Sequence, residues 1–411
     1  MPSVTICFKI HLPLQLSNYA AGSVGMGANY FNPAADRKLL NQLADACYLP
    51  ANEIVTSLIR QHEGKFKLSY SISGTALQLL QAYRPDVIKS FSKLAATGCI
   101  EFLAETFYNS LSWLYSKNEF IRQVEMHTAL IRELFSTEPA VLRNTELIYN
   151  NEMAQFALQL GFKGVWCEGV EKILMGRSPN HVYAAPGTGD IGLLLRNAGL
   201  SDDIAFRFNE LQWNEYPLTA DKYARWIHTH SGADNINLLM DYETFGVHKK
   251  KETGIFAFLE NLPAEILKNT GWLFSKPSEV LNNYTPVDVY DTAQTISWYD
   301  KEIECCVWYE NTMQNNMLKK IYSLENMVHK SNCKNMLQDW GQLQSADHFY
   351  YMSDKGRATH DAYQNRNPFV SVEDAYKNYV NIITDFEIKL IEQQLSAYKE
   401  ATPHFKHSTL Y

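Results

Sequence analysis

The sequence predicts an α/β protein: a (β/α)7 barrel of distorted TIM type followed by a C-terminal helical bundle. Three observations lead there. Short runs rich in β-branched and aromatic residues alternate with amphipathic stretches, these runs end at polar side chains, and the alternation stops after about Pro286. Strand–helix alternation implies right-handed crossovers and a parallel sheet.

The expected strands are 4–10, 66–72, 99–103, 140–144, 164–167, 204–208 and 235–240. Between them, 118–135 keeps a helical stripe through Phe120, Ile121, Val124, Leu130, Ile131 and Leu134, and 219–230 opens with a Thr cap and an early Asp221. Seven strands in roughly 240 residues suit a closed barrel better than a small doubly wound domain, although an open sheet fits the same pattern. The polar strand ends are His11, Ser73-Gly74, Glu101 and Glu105, Glu146, Glu168, Arg207 and Asp241. In a parallel barrel all these ends open on one face, where active sites are built.

Beyond residue 286, 300–330 and 371–398 read as long helices, the second opening with a Ser371-Val372-Glu373-Asp374 capping box. The expected division is a barrel over 1–285 and a helical region over 286–411 that adds to the cleft, joined through the irregular 284–296. The tail from 401 reads as frayed.

Composition narrows the function. A net charge of -8 over 411 residues argues against nucleic-acid or anionic-membrane partners, because phosphate binding needs clustered Lys and Arg. No apolar stretch approaches a membrane span, and 1–11 lacks the features of an export signal. Seven scattered cysteines, including Cys305-Cys306 in a helical pattern, form no Cys-x-x-Cys spacing, which suits reduced thiols in the cytoplasm. There is no low-complexity tract and no internal repeat, and nothing argues against a homo-oligomer. No metal or other cofactor is expected.

Two acidic segments carry the chemistry. Glu146 follows a strand-like run in Leu142-Arg143-Asn144-Thr145-Glu146, where Arg143, three positions away, offers a local ion pair as the simpler reading. An apolar strand runs into Asp241-Tyr242-Glu243-Thr244-Phe245-Gly246, whose acids would also serve as metal ligands or a helix cap. Acetal hydrolysis needs two carboxyl groups, one ionised to attack and one protonated to donate to the leaving oxygen. Acids on two different strands meet that need.

Five stretches carry a resemblance to glycoside hydrolase family 57, specifically its α-amylase-type branch, over nearly the whole chain. They are Phe8-Lys9-Ile10-His11-Leu12-Pro13, Gly98-Cys99-Ile100-Glu101-Phe102-Leu103-Ala104-Glu105, Arg143-Asn144-Thr145-Glu146-Leu147-Ile148-Tyr149, Asp241-Tyr242-Glu243-Thr244-Phe245-Gly246 and Ser345-Ala346-Asp347-His348-Phe349-Tyr350-Tyr351. The resemblance implies Glu146 as nucleophile and Asp241 as general acid/base in a retaining reaction on α-1,4-glucans, without a metal. It implies that His11 and Glu101 line the −1 sugar subsite and that Asp347 is a further acidic site residue. Trp213 and Tyr351 are expected as sugar-stacking rings, with Trp113, Trp166 and Trp298 as further candidates. Glu105, Arg143, Glu243 and His248 are expected to support the acids. Departures from the family pattern fall at Leu12, Gln15 and Val247-His248-Lys249-Lys250, where sugar contacts of the branch are replaced.

The leading expectation is therefore an α-amylase-like hydrolase. A 4-α-glucanotransferase on the same machinery and a drifted glucan-binding protein without turnover are the alternatives. A metal-dependent polysaccharide deacetylase would need a His-x-x-x-His pair; the spacing of His228-Thr229-His230 does not supply it.

Overall fold

Side-chain alternation along the first strand organises the architecture. In the computed structural model, residues 1–298, 307–357 and 366–401 are described. Among the described residues nine strands form: β1 (Ser3–Ile10), β2 (Leu68–Ile72), β3 (Ile100–Phe102), β4 (Val141–Arg143), β5 (Gly164–Glu168), β6 (Val182–Ala185), β7 (Thr188–Arg196), β8 (Asn235–Asp241) and β9 (Leu273–Phe274). Seven of them run parallel in the order β3-β2-β1-β8-β7-β5-β4. The ends of that row meet at Ala104, whose N–H donates to Val141 O (2.9 Å) and whose carbonyl accepts from Arg143 N (2.8 Å). These two bonds close the (β/α)7 barrel. β6 adds an antiparallel hairpin strand on β7, and β9 pairs with the start of β1.

Cys7 packs with Leu103, Val141, Trp166, Leu194 and Leu239 from the other strands. The odd-numbered side chains of β1 (Ser3, Thr5, Cys7, Lys9) therefore fill the barrel, and the even-numbered ones pack outward. Register then sets the layers. Cys7 lies level with Ser69 and Leu239, and Ser69 with Glu101; one layer higher, Lys9 lies level with Ser71 and Asp241. The lowest layers are polar: Ser3 and Thr5 donate to Asn235 Oδ1 at 2.6 and 2.9 Å, and Asn235 donates to Asn237. The helix Pro277–Asn283 plugs this end, with Val280 in the interior cluster and Leu281 against it.

One expected strand is absent. Residues 204–208 lie in a π-helical turn, Asp203–Arg207, that continues the helix Ala198–Asp202. Ile204 and Phe208 turn inward four residues apart, while Phe206 is 44% exposed, so their alternation comes from the helical i,i+4 relation. Arg207 accordingly ends no strand. The sixth barrel strand along the chain is instead β7, which ends at Arg196. Two glycines dilute its strand signal, and at one of them the plug helix packs close: a Cβ on Gly192 would meet Leu281 Cδ2 at 2.4 Å, so that side chain would have to shift.

The chain divides into two units. The first comprises Met1–Pro13, Ala34–Ser110 and Lys117–Cys306. It includes the stretch after the plug helix, which pairs along β6 (Ala184 with Val289) and beside β4 (Tyr149 with Ile296). The second comprises Leu14–Pro33, Leu111–Ser116 and Val307–Tyr411. Its described helices include Thr312–Ser323, Glu325–Ser331, Lys334–Leu343, Ala346–Tyr350 and Val372–Ala401. The long helix expected over 300–330 is thus interrupted at Leu324, and its start, with Cys305-Cys306, lies outside the described residues, as does the tail after 401. Ser371 does cap the last helix, accepting from Asp374 N at 3.0 Å. In the same unit Tyr30 donates to Asp385 Oδ2 (2.6 Å) and Tyr19 N to Asn378 Oδ1 (2.6 Å), tying the 14–33 segment to that helix.

The loop after β8 returns on itself, with His248 N donating to Glu243 O (2.8 Å) and Gly246 N to Lys249 O (2.9 Å). Gly246 sits at φ +102° and faces the π-helical turn Ala44–Tyr48; a Cβ there would lie 2.0 Å from the Ala46 carbonyl oxygen. Gly246→Ala should therefore lower the unfolding free energy by about 2–4 kcal/mol in urea denaturation. A change below about 0.5 kcal/mol would show that the loop does not need this close approach.

Candidate active site

Polar side chains gather in the highest layer of the barrel interior. Glu146 follows β4 in a single 3-10 turn, Thr145–Leu147, and Asp241 is the last residue of β8. Lys9, from β1, stands between them. Its Nζ lies 2.7 Å from Glu146 Oε1 and 3.9 Å from Asp241 Oδ1. The ammonium and Glu146 are almost fully buried, whereas the Asp241 side chain is 30% exposed. A unit charge pair about 4 Å apart is worth about 4 kcal/mol near a protein surface, and less at the partly wet Asp241. That is enough to offset much of the repulsion between two neighbouring carboxylates. Burial pushes the Lys9 amine down, but Glu146 and then Asp241 outweigh it, so its pKa ends above the ordinary lysine value.

The backbone bends sharply to present Glu146. Glu146 and Leu147 both have φ +53°, a left-handed conformation that costs non-glycine residues roughly 1–3 kcal/mol each. Local bonds hold it: Leu147 N donates to Asn144 O (3.0 Å), Asn144 Nδ2 to Ile148 O (2.9 Å), and the Thr145 hydroxyl meets that of Thr106 at 2.7 Å. Residues 296–298 then pair alongside. Tyr149 and Ile296 exchange two backbone bonds of 2.9 Å, and Trp298 N donates to Glu146 O (3.2 Å). This places the Trp298 indole N–H on Glu146 Oε2 at 2.6 Å. Both oxygens of Glu146 thus accept from a fixed donor.

The ion pair that Arg143 makes is with an acid other than the Glu146 considered for it. Arg143 instead joins Glu105 Oε2 (2.7 Å) and Ser71 Oγ (2.9 Å), and Ser71 closes the triangle to Glu105 at 2.9 Å. Both charged partners are about 1% exposed. Glu105 N donates to His127 Nδ1, and His127 Nε2 donates to Ile72 O at 2.8 Å. Burial lowers the His127 pKa and keeps the ring neutral, which suits one donor and one acceptor nitrogen.

The remaining expected residues separate into distinct places. His11 is buried just past β1, its Nδ1 2.8 Å from Ser73 Oγ. His248 Nε2 is 4.0 Å from Asp241 Oδ2, beyond direct hydrogen-bond reach. Glu243 accepts from the Tyr48 hydroxyl at 2.5 Å. Glu101 is one layer lower, where its Oε2 accepts from Ser278 N (2.9 Å) and Oγ (2.7 Å), holding the start of the plug helix. Trp213 meets Trp226 edge to face and lies under the Arg207 guanidinium, and Trp166 is interior packing. Asp347, Tyr351 and Trp113 lie in the second unit, where Ser345 Oγ donates to Asp347 Oδ2 at 3.0 Å and Tyr351 packs on Phe369. At the end of β5, Glu168 pairs with Arg196, which also holds Asp202; burial, partly offset by Arg196, pushes the Glu168 carboxyl up to about 7. Among the described residues no three His, Cys, Asp or Glu side chains converge as metal ligands would.

The residue that sequence reasoning missed is Lys9. Its signal was parity: it continues the interior-facing series Ser3, Thr5, Cys7, and a charge in that series near the strand end must meet opposite charge inside.

A closed parallel barrel with two carboxylates on separate strand ends has the layout of a barrel glycoside hydrolase. The chain belongs to Glycosyl hydrolase family 57, whose sequence profile matches residues 5–293. It is 38% identical over 406 residues to a Methanocaldococcus jannaschii protein named "Putative alpha-amylase", covering 95% of this chain and 85% of that one. In fold it is similar to the 4-alpha-glucanotransferase from Thermococcus litoralis (TM-score 0.65, 17% identity), covering 85% of this chain and 56% of that longer one. It is also similar to the alpha-amylase AmyC from Thermotoga maritima (TM-score 0.63, 12% identity), covering 97% and 96% of the two chains.

Removing the Arg143 charge should strand Glu105 in the interior, where its Oε1 already has no partner. Arg143→Met is expected to cost about 3–5 kcal/mol of unfolding free energy. A loss under about 1 kcal/mol would mean that the triangle contributes little to holding the barrel mouth.

Proposed function

We propose that the chain is a retaining glycoside hydrolase of α-1,4-linked glucans, with Glu146 as nucleophile and Asp241 as general acid/base. The observation that carries this reading is that both carboxylates converge on one ammonium. Their nearest oxygens can be no farther apart than 2.7 and 3.9 Å laid end to end. That limit admits the ~5–5.5 Å separation of retaining enzymes.

The two environments suit two roles. Glu146 is enclosed and fixed by donors on both oxygens, as a nucleophile must be to attack along one line. Asp241 opens towards solvent and a leaving chain, as an acid/base must to exchange its proton. The strained turn at Glu146 adds support, because such conformations gather at working sites. His11, adjoining the same strand end, is proposed to contact the sugar. The five described cysteines are all free thiols, which favours a reducing, cytoplasmic setting, and no described helix is long and apolar enough to cross a membrane.

Incubation with maltoheptaose tests the reading. Shorter products alone indicate hydrolysis, and products longer than the substrate indicate transfer on the same machinery. Binding without turnover would overturn the enzyme assignment. Glu146→Gln should abolish turnover with the fold intact, and retention of the wild-type rate would remove Glu146 from the mechanism. Asp241→Asn should cost about 100- to 10,000-fold in kcat.

A further inference from the structure

A double displacement uses its nucleophile twice, first as attacker and then as leaving group. We propose that Lys9 governs the second use: its ammonium stabilises the Glu146 carboxylate as it departs from the sugar, and so keeps the covalent intermediate from accumulating. This rests on the assignment of Glu146 and Asp241 made above.

The placement is built into the fold. β1 pairs with β8 over Ser3–Lys9 and with β2 over Cys7–Ile10, and Lys9 is level with Ser71 on one side and Asp241 on the other. The side chain therefore rises from a part of the strand that is hydrogen-bonded on both sides. It is about 9% exposed, with Nζ 2.7 Å from Glu146 Oε1. The nearby Arg143 is held by Glu105 and Ser71, and Trp298 brings a neutral donor to Glu146 Oε2. Lys9 thus brings a full positive charge into contact with this carboxylate. Its raised pKa keeps it protonated through the neutral range.

The charge flow gives Lys9 opposite effects on the two steps. In the first, a Glu146 oxygen bonds to the anomeric carbon and the bond to the leaving oxygen breaks. That oxygen keeps the electron pair and takes the Asp241 proton. Glu146 loses its negative charge beside an ammonium that had stabilised it, so Lys9 makes it a weaker attacker. In the second step, water or a sugar hydroxyl gives its proton to Asp241 and its oxygen bonds to the anomeric carbon. The ester bond to Glu146 breaks, and the electron pair returns to the carboxylate. Negative charge reappears 2.7 Å from Nζ, so Lys9 lowers this barrier. A neutral side chain at position 9 should speed or spare the first step and slow the second.

The test is stopped-flow release of nitrophenolate from 4-nitrophenyl α-maltotrioside by the full chain, a substrate whose good leaving group needs little protonation. The wild-type chain should show linear release without a burst. Lys9→Met and the neutral but polar Lys9→Gln should show a burst of about one equivalent per site. Their kcat should fall at least about tenfold while kcat/KM, which reports the first step, changes less than about threefold. Intact mass spectrometry of the quenched variants should show a glycosyl adduct, and Lys9→Arg, which keeps the charge, should remove the burst. Equal losses in kcat and kcat/KM with no burst and no adduct, in a variant folded by circular dichroism, would overturn the proposal. Unfolding of both neutral variants together with a burst in Lys9→Arg would also overturn it. A wild-type chain that releases no nitrophenolate would instead overturn the assignment of the two acids.

Discussion

A lysine facing two carboxylates inside a protein barrel is the contact on which the rest depends. Three charged groups could not share that interior singly, since an unpaired buried charge costs several kcal/mol. Placed together, they hold one another and draw β1, β4 and β8 to a common point. Arg143 and Glu105 do the same beside them, linking β4 to the residues that close the barrel after β3. The mouth is consequently a polar layer with fixed geometry, resting on the apolar layer of Cys7, Trp166, Leu194 and Leu239.

That layering separates structure from chemistry along the barrel axis. At the lower end, Ser3, Thr5, Asn235 and Asn237 satisfy one another, and the plug helix seals the interior with Val280 and Leu281. Glu101 belongs to this lower system through Ser278, although sequence resemblance groups it with the sugar site. Its neighbour four residues on, Glu105, reaches the upper layer instead. Two acids in one short segment thus end on different floors, because β3 is only three residues long and the chain leaves it directly after Phe102.

Much of the fold was legible because period-two burial and helical stripes are strong in this chain. Six of the expected runs are barrel strands, and the polar strand ends foretold the position of Glu146 and Asp241. What failed has local causes. β7 was hidden by Gly189 and Gly192, the second of which leaves room for Leu281, while 204–208 imitated a strand through i,i+4 packing. The partner of Glu146 was misjudged because sequence distance favoured Arg143, three positions away, over Lys9, 137 positions away. Trp298, one of several candidate rings, meets Glu146 through its indole N–H, a contact that depends on a backbone pairing between 149 and 296 that no linear pattern announces.

The central claim is that Glu146 and Asp241 cleave a glycosidic bond by two displacements at the same carbon. Its most direct test is the anomeric configuration of the first product. Proton NMR of maltoheptaose, recorded before mutarotation, should show the new reducing end appearing as the α-anomer, and first appearance of the β-anomer would contradict the account.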